Sequence, residues 1–215
     1  MSAHRSTPLQ RRDSRRRVVE TALRLSARLG YRKTTVADIA HELSMSPANI
    51  YRFFRSKRAI DEAVVGELLA ETLVRAIEAA RRAGSTAERL RAVLRAIDCR
   101  HASRLANEKL DDLVVTAGRE GWAVMLEHRR RLTRIVRWVI ASGQMTGELR
   151  GGDAAVLARC VLVAVDGCSK LSTLLDRAAG GPTREQMMDF CLSAMRAPDA
   201  TAEQVAIHGM HARLH

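Results

Sequence analysis

Aromatic side chains are scarce in this sequence, with two Trp, two Tyr and three Phe among 215 residues. Ala, Leu, Val and Ile must therefore build whatever core the chain has. Only four prolines interrupt the chain, and Ala, Leu, Arg and Glu all favour helix, so an all-α protein is the first expectation. The four cysteines are Cys99, Cys160, Cys168 and Cys191. None forms a CxxC pair, which argues against a metal ribbon or a disulfide framework and reads instead as reduced thiols in a cytoplasmic protein. No apolar run approaches the roughly 18 residues that a membrane helix needs. The basic start lacks the apolar segment of a signal peptide. No nucleophile elbow, phosphate-binding glycine loop or HExxH is present, so the sequence reads as a non-enzyme with no cofactor.

Positive charge is abundant and unevenly placed. The formal net charge is +12, and residues 1–58 hold 14 Lys/Arg against 4 Asp/Glu, leaving 22 against 20 for the rest. The first quarter is a cation joined to a near-neutral body, and a polyanion such as nucleic acid is its natural partner. Hydrophobic residues make up 47% of the chain, enough for a sizeable core.

Residues 1–12 are polar and basic without apolar period and read as a disordered arm. Val18, Val19, Ala22, Leu23, Leu25 and Leu29 then recur at helical spacing until Gly30 supplies a stop. Thr35 with Asp38 and Ser46-Pro47 open two short helices. Ser56 opens a long one running to about Ala83. Helices follow from Ser85 to about Ala106, from Glu108 to Ala117 and from Trp122 to Ser142. A loop at residues 143–152 precedes a strongly apolar helix capped by Asp153 and reaching about Ala179. Thr183 and Gln186 start a last helix that ends by Pro198. The expected organisation is an arm at 1–12, a DNA-binding domain at 13–60, a helical domain at 61–198 and a tail at 199–215, about nine helices in total. His208, His211 and His215 lie at helical spacing in the tail, but no acid or thiol accompanies them and no metal site is assigned.

The stretch TVADIAHELSMSPANIYRFF, Thr35 to Phe54, joins a helix of about eight residues, a three-residue turn and a second helix. Two short helices crossed this way allow the second to enter the major groove while the first braces it. With GYRKTTVADIA before it and Tyr51, Phe54 and Lys57 ending it, the segment from about Arg15 to Val65 resembles the DNA-binding domain of the TetR/AcrR family. The resemblance implies a dimeric transcriptional regulator with a three-helix N-terminal domain and a helical C-terminal domain that binds a ligand and dimerises. Asn49 is suited to pair with adenine, and Arg52, one turn on, to reach a guanine or a phosphate. Pro47 and Ala48 offer apolar surface to thymine methyls, with Ser46 opening the helix. Thr34 or Thr35, Tyr51 and Lys57 match the family's phosphate contacts. Three positions depart from the pattern: Ser26 stands where Phe is usual, Ser44 where Gly is common, and Phe53 where Tyr or His is frequent. Tyr31 or Phe53 is expected to fill the space at Ser26, and Ser44 to strain the turn.

Two readings stand open for Arg11, Arg12, Arg15, Arg16 and Arg17: an arm entering the minor groove, or a nonspecific phosphate brush. In the body, His101, Arg104, Trp122, Met125 and His128 are the soft or polar residues within apolar helical stretches and are the candidate ligand pocket. The helices Asp153 to Ala179, apolar on most faces, and Thr183 to Arg196 are the expected dimer interface, with Val163, Leu171 and Leu174 along the first. The function expected is a repressor of a palindromic operator, acting as a homodimer on double-stranded DNA and released by a small apolar or amphipathic ligand. The alternative is a regulator of the same fold that answers to a protein partner or acts as an activator.

Overall fold

The computed structural model describes residues 7–98, 107–168 and 181–197. Nine helices occupy them: α1 (Pro8–Leu29), α2 (Val36–Glu42), α3 (Pro47–Tyr51), α4 (Lys57–Ala80), α5 (Thr86–Asp98), α6 (Glu108–Arg119), α7 (Ala123–Met145), α8 (Ala154–Gly167) and α9 (Arg184–Met195). Among the described residues there is no strand, only an isolated bridge between Leu149 and Arg196. The fold is all-α. His101, Arg104, Leu171, Leu174, Cys99 and the tail histidines lie outside the described residues.

Local signals account for most helix ends. Thr35 caps α2 in a reciprocal box with Asp38, Ser46 caps α3 with Pro47 in its first turn, and Asp153 and Thr183 cap α8 and α9. Each cap oxygen accepts from an amide that the first turn leaves without a partner. Two boundaries differ from the expectation. α1 begins at Pro8 rather than Asp13, so residues 8–12 are helix and not a disordered arm. Thr7 accepts from the Gln10 amide and Gln10 answers it, a complete box with Pro behind the cap. α7 runs through Gly143 to Met145. Gly143 is not a stop there; a Cβ on it would stand 2.5 Å from the Thr86 side chain, so the residue is small because another segment passes close by.

The described residues form two compact units, one drawn from Met1–Leu73 and Cys99–Arg130, the other from Val74–Asp98 and Arg131–His215. The expected boundary at residue 60 thus falls inside α4. In the first unit Val18, Ala22 and Leu25 of α1, Ile39 and Ala40 of α2 and Ile50 of α3 share one core with Ile60 and Val64 of α4. Leu113 and Ala117 of α6 and Trp122 complete it. Asn107 and Lys109 also donate to the Ala27 and Arg28 carbonyls that end α1. In the second unit α9 packs on α5 and α8. Arg91 meets Asp189 at 2.6 Å and Arg95 meets Glu185 at 3.1 Å. Glu148 accepts from the Thr86 amide at 2.7 Å and from its hydroxyl at 3.0 Å. Those bonds, the amide's foremost, hold the Glu148 carboxyl below its usual range.

Candidate nucleic-acid interface

α3 is one and a half turns long, so its orientation comes from packing rather than from its own hydrogen bonds. Ile50 is fully buried and seats the helix on the core. The flanking residues are left outward: Ser46, Pro47, Ala48, Tyr51 and Arg52 are exposed, and Asn49 is half-buried. Ser46 Oγ accepts from the Asn49 amide at 3.2 Å, which fixes the first turn. Phe54, 3% exposed, ends the segment in the core. The apolar Pro47–Ala48 surface, the Asn49 amide and the Arg52 guanidinium therefore lie together on or beside one short helix. This is the set that the sequence pattern assigns to bases.

Before α3 the chain turns through Ser44, which has φ 52°, the one non-glycine residue with positive φ among those described. The expected strain at the family's glycine position is present. Met45 N–H reaches back to the Ala40 carbonyl at 2.8 Å and closes the turn.

The assigned phosphate contacts divide. Tyr51 is half exposed and stands on the α3 surface. Thr35 is exposed, with its hydroxyl donating to Asp38 at 2.7 Å as part of the α2 cap. Bonds from Thr35, its backbone N–H first, keep the Asp38 carboxyl below its usual range. Thr34 is 3% exposed and donates to the Gly30 carbonyl at 3.0 Å, so it ties the α1–α2 turn and offers nothing to a phosphate. Lys57 likewise points inward, paired with the buried Asp61 and donating to the Tyr31 carbonyl at 3.3 Å. Burial pushes the Asp61 carboxyl above its ordinary value, with the Lys57 ammonium acting against it. Thr34 and Asp61 sit four residues from their partners, whereas Tyr31, the second acceptor for Lys57, lies 26 positions earlier, beyond what helical spacing shows. Two cations go unmarked by the motif: Lys33 and Arg55 are exposed beside it, with no acidic partner among the described residues. An unpaired Lys or Arg on either side of the motif was the available signal.

The residues assigned to a pocket are placed differently. Trp122 is 3% exposed in the core of the first unit, where Arg58 lies 3.5 Å from the ring centroid. Its indole N–H donates to Glu120 at 2.8 Å, a bond that, ahead of the nearby Arg58, lowers the Glu120 carboxyl. Met125 packs on the same core. These contacts make both residues part of the packing of the first unit. His128 is buried. Ser26 is buried, with an Oγ that has no hydrogen-bond partner, and both Tyr31 and Phe53 pack against the surrounding core. On α8 the apolar row Val156, Cys160 and Val163 faces outward, Val163 being 68% exposed, and Phe190 of α9 is 69% exposed.

This geometry agrees with what the chain resembles. Residues 18–64 match the family model for bacterial regulatory proteins of the tetR family, and residues 86–175 match the tetracyclin repressor-like C-terminal domain. The chain belongs to the TetR family. It is a transcriptional regulator with a DNA-binding helix-turn-helix, not an enzyme. An uncharacterised HTH-type transcriptional regulator of Bacillus subtilis, YvkB, is 34% identical over 56 residues, 26% of this chain and 30% of the relative's own length. A solved protein of unknown function from Rhodococcus sp. RHA1 shares the fold with a TM-score of 0.63 at 17% identity, covering 91% of this chain and 99% of its own. A transcriptional regulator from Saccharomonospora viridis, solved in complex with choline, is 26% identical with a TM-score of 0.56, over 84% of this chain and 94% of its own. No helix of this TetR-family chain is long and apolar enough to cross a membrane among the described residues.

Proposed function

We propose that this TetR-family chain is a repressor that binds a palindromic operator as a two-fold dimer and is released by a small apolar or amphipathic ligand. The observation that carries the DNA reading is the outward face of α3. Asn49 and Arg52 stand beside Pro47 and Ala48 there, while Ile50 anchors the opposite side. Asn49 reads a base, Arg52 reads a base or a phosphate, and Tyr51, Lys33 and Arg55 take phosphates. Lys57 acts as a positioning residue that holds Tyr31 and Asp61 together. The choline complex of the S. viridis regulator supports a small-molecule effector. Such a ligand acts by favouring a spacing of the two α3 helices that no longer matches two half-sites.

Selection of bound duplexes from a random pool, repeated in the presence of a metabolite library, tests both parts. A symmetric consensus lost on addition of one compound is the expected result; failure to enrich any duplex sinks the reading. Asn49→Ala is expected to relax selectivity at one base pair in each half-site, by about 1–3 kcal/mol of discrimination. Arg52→Ala should act at a neighbouring pair with a larger fall in general affinity. An unchanged consensus for Asn49→Ala would leave base reading to Arg52 and to the apolar contacts.

A further inference from the structure

α1 has two parts with different chemistry. From Val18 onward its inner face is core, whereas everything from Pro8 to Arg17 is exposed except the half-buried Ser14. The outer part stands about 15 Å, ten residues at 1.5 Å each, ahead of the first buried side chain. It carries Arg11, Arg12, Arg15, Arg16 and Arg17 against a single acid, Asp13. The helix itself is poorly served by most of these charges. Arg11 with Arg15 and Arg12 with Arg16 are like-charge pairs one turn apart, and the first turn holds no acid to complement the helix dipole. A segment that buries no apolar surface and repels itself is nevertheless held helical by a complete Thr7–Gln10 capping box.

The direction of this extension ties it to the interface. Arg11 and Arg15 continue the row of Val18, Val19 and Ala22, the side of α1 that faces the core. Arg15 lies 4.5 Å from the Phe54 ring centroid, directly after α3. Arg16 is drawn to Glu20 at 3.6 Å, while Arg11 and Arg12 have no acidic partner among the described residues. The cations therefore run outward along one helix from Arg15, which stacks on Phe54 three residues past the end of α3.

We propose that Pro8–Arg17 is a helical phosphate-binding extension of the DNA interface, in which Arg11 and Arg12 grip the backbone of the same duplex outside the bases read by α3. The occupant is double-stranded DNA: the extension is joined through Arg15 and Phe54 to the end of the helix-turn-helix segment, and its charge complements a phosphate row. Arg15, stacked on Phe54, sets the direction of the extension. The inference rests on the DNA-binding reading above.

The test uses the full chain and the duplex selected by the wild type, with base pairs added outside each half-site. For Arg11→Ala/Arg12→Ala, the slope of log affinity against log salt should fall by about 0.9 for each phosphate no longer neutralised, with an unchanged consensus. Hydroxyl-radical footprints should lose protection only at the outer edge, and Arg11→Lys/Arg12→Lys should restore the slope. Ser14→Pro keeps every charge but breaks α1 ahead of the core; the outer protection should disappear while the thermal melt of the core is kept. A wild-type slope in the alanine double variant overturns the proposal. Retained outer protection in Ser14→Pro shows a flexible arm and overturns it equally. A wild type that selects no duplex defeats the DNA reading itself, whereas the first two outcomes leave that reading intact.

Discussion

Lys57 bridges a buried carboxylate and a backbone carbonyl, and its removal exposes what that pairing does. In Lys57→Ala, Asp61 is left as a desolvated charge without its cation, a loss expected to cost about 2 kcal/mol at neutral pH. The pH dependence has a definite sign. Burial already raises the Asp61 carboxyl above 3.8 in the folded protein, and the variant raises it further. The folded state then holds its proton more tightly than the unfolded chain, so stability from this group is greatest in acid and falls as pH rises through the folded value. The deficit of the variant should shrink between pH 7 and pH 5 in urea titrations; a deficit independent of pH would show that Asp61 is not the cause. Ser44 offers a change of opposite sign. Replacing it with Gly relieves a left-handed side chain, which costs about 1–2 kcal/mol, against about 0.5–1 kcal/mol of added chain entropy. Ser44→Gly should gain about 0.5–1 kcal/mol in the same titrations, and a loss would show that the turn is not strained. The family pattern points to that position from sequence. It gives no sign that Thr34 and Lys57 face inward, because the Gly30 and Tyr31 carbonyls that hold them belong to the loop after α1, and Tyr31 lies 26 positions before Lys57.

At the scale of elements, short helices depend on their caps. α3 has five residues, and Ser46 satisfies the amide of Asn49, the proposed base reader. Ser46→Ala should cost about 1 kcal/mol of stability and blur the consensus, since the helix that aims Asn49 frays. Ser46→Asp separates the two roles: aspartate caps as well as serine, so the melt should be unchanged, while its charge beside the duplex weakens binding. Equal binding by Ser46→Asp and wild type would place Ser46 away from DNA. The caps of α2, α3, α8 and α9 are all legible from spacing. The Thr7–Gln10 box has the same spacing, but no apolar period follows it until Val18. A helix without a buried face is invisible to a periodicity argument.

For the whole molecule, the exposed row Val156, Cys160 and Val163 on α8, with Phe190 on α9, is the surface proposed to meet a second copy. Val163 is already 68% exposed within one chain, so Val163→Glu should leave the fold intact and yield a monomer by sedimentation. Operator affinity should fall with it, since each half-site is then bound alone. A variant that remains dimeric moves the interface elsewhere.

Capping residues, helical period and the charge imbalance of the first 58 residues determined that the chain is all-α, where most helices begin, and that a helix-turn-helix lies near its start. These are local properties, carried by residues three or four apart. The tertiary structure alone decided which side chains face inward. Trp122, read as pocket lining, is core because Arg58, 64 positions earlier, covers its ring. Leu113 and Ala117 join the DNA-binding unit because α6 packs on α1. Such partners are separated by many turns of chain, and no spacing rule reaches that far. Burial and pairing are settled only when distant helices pack and exclude water from what lies between them.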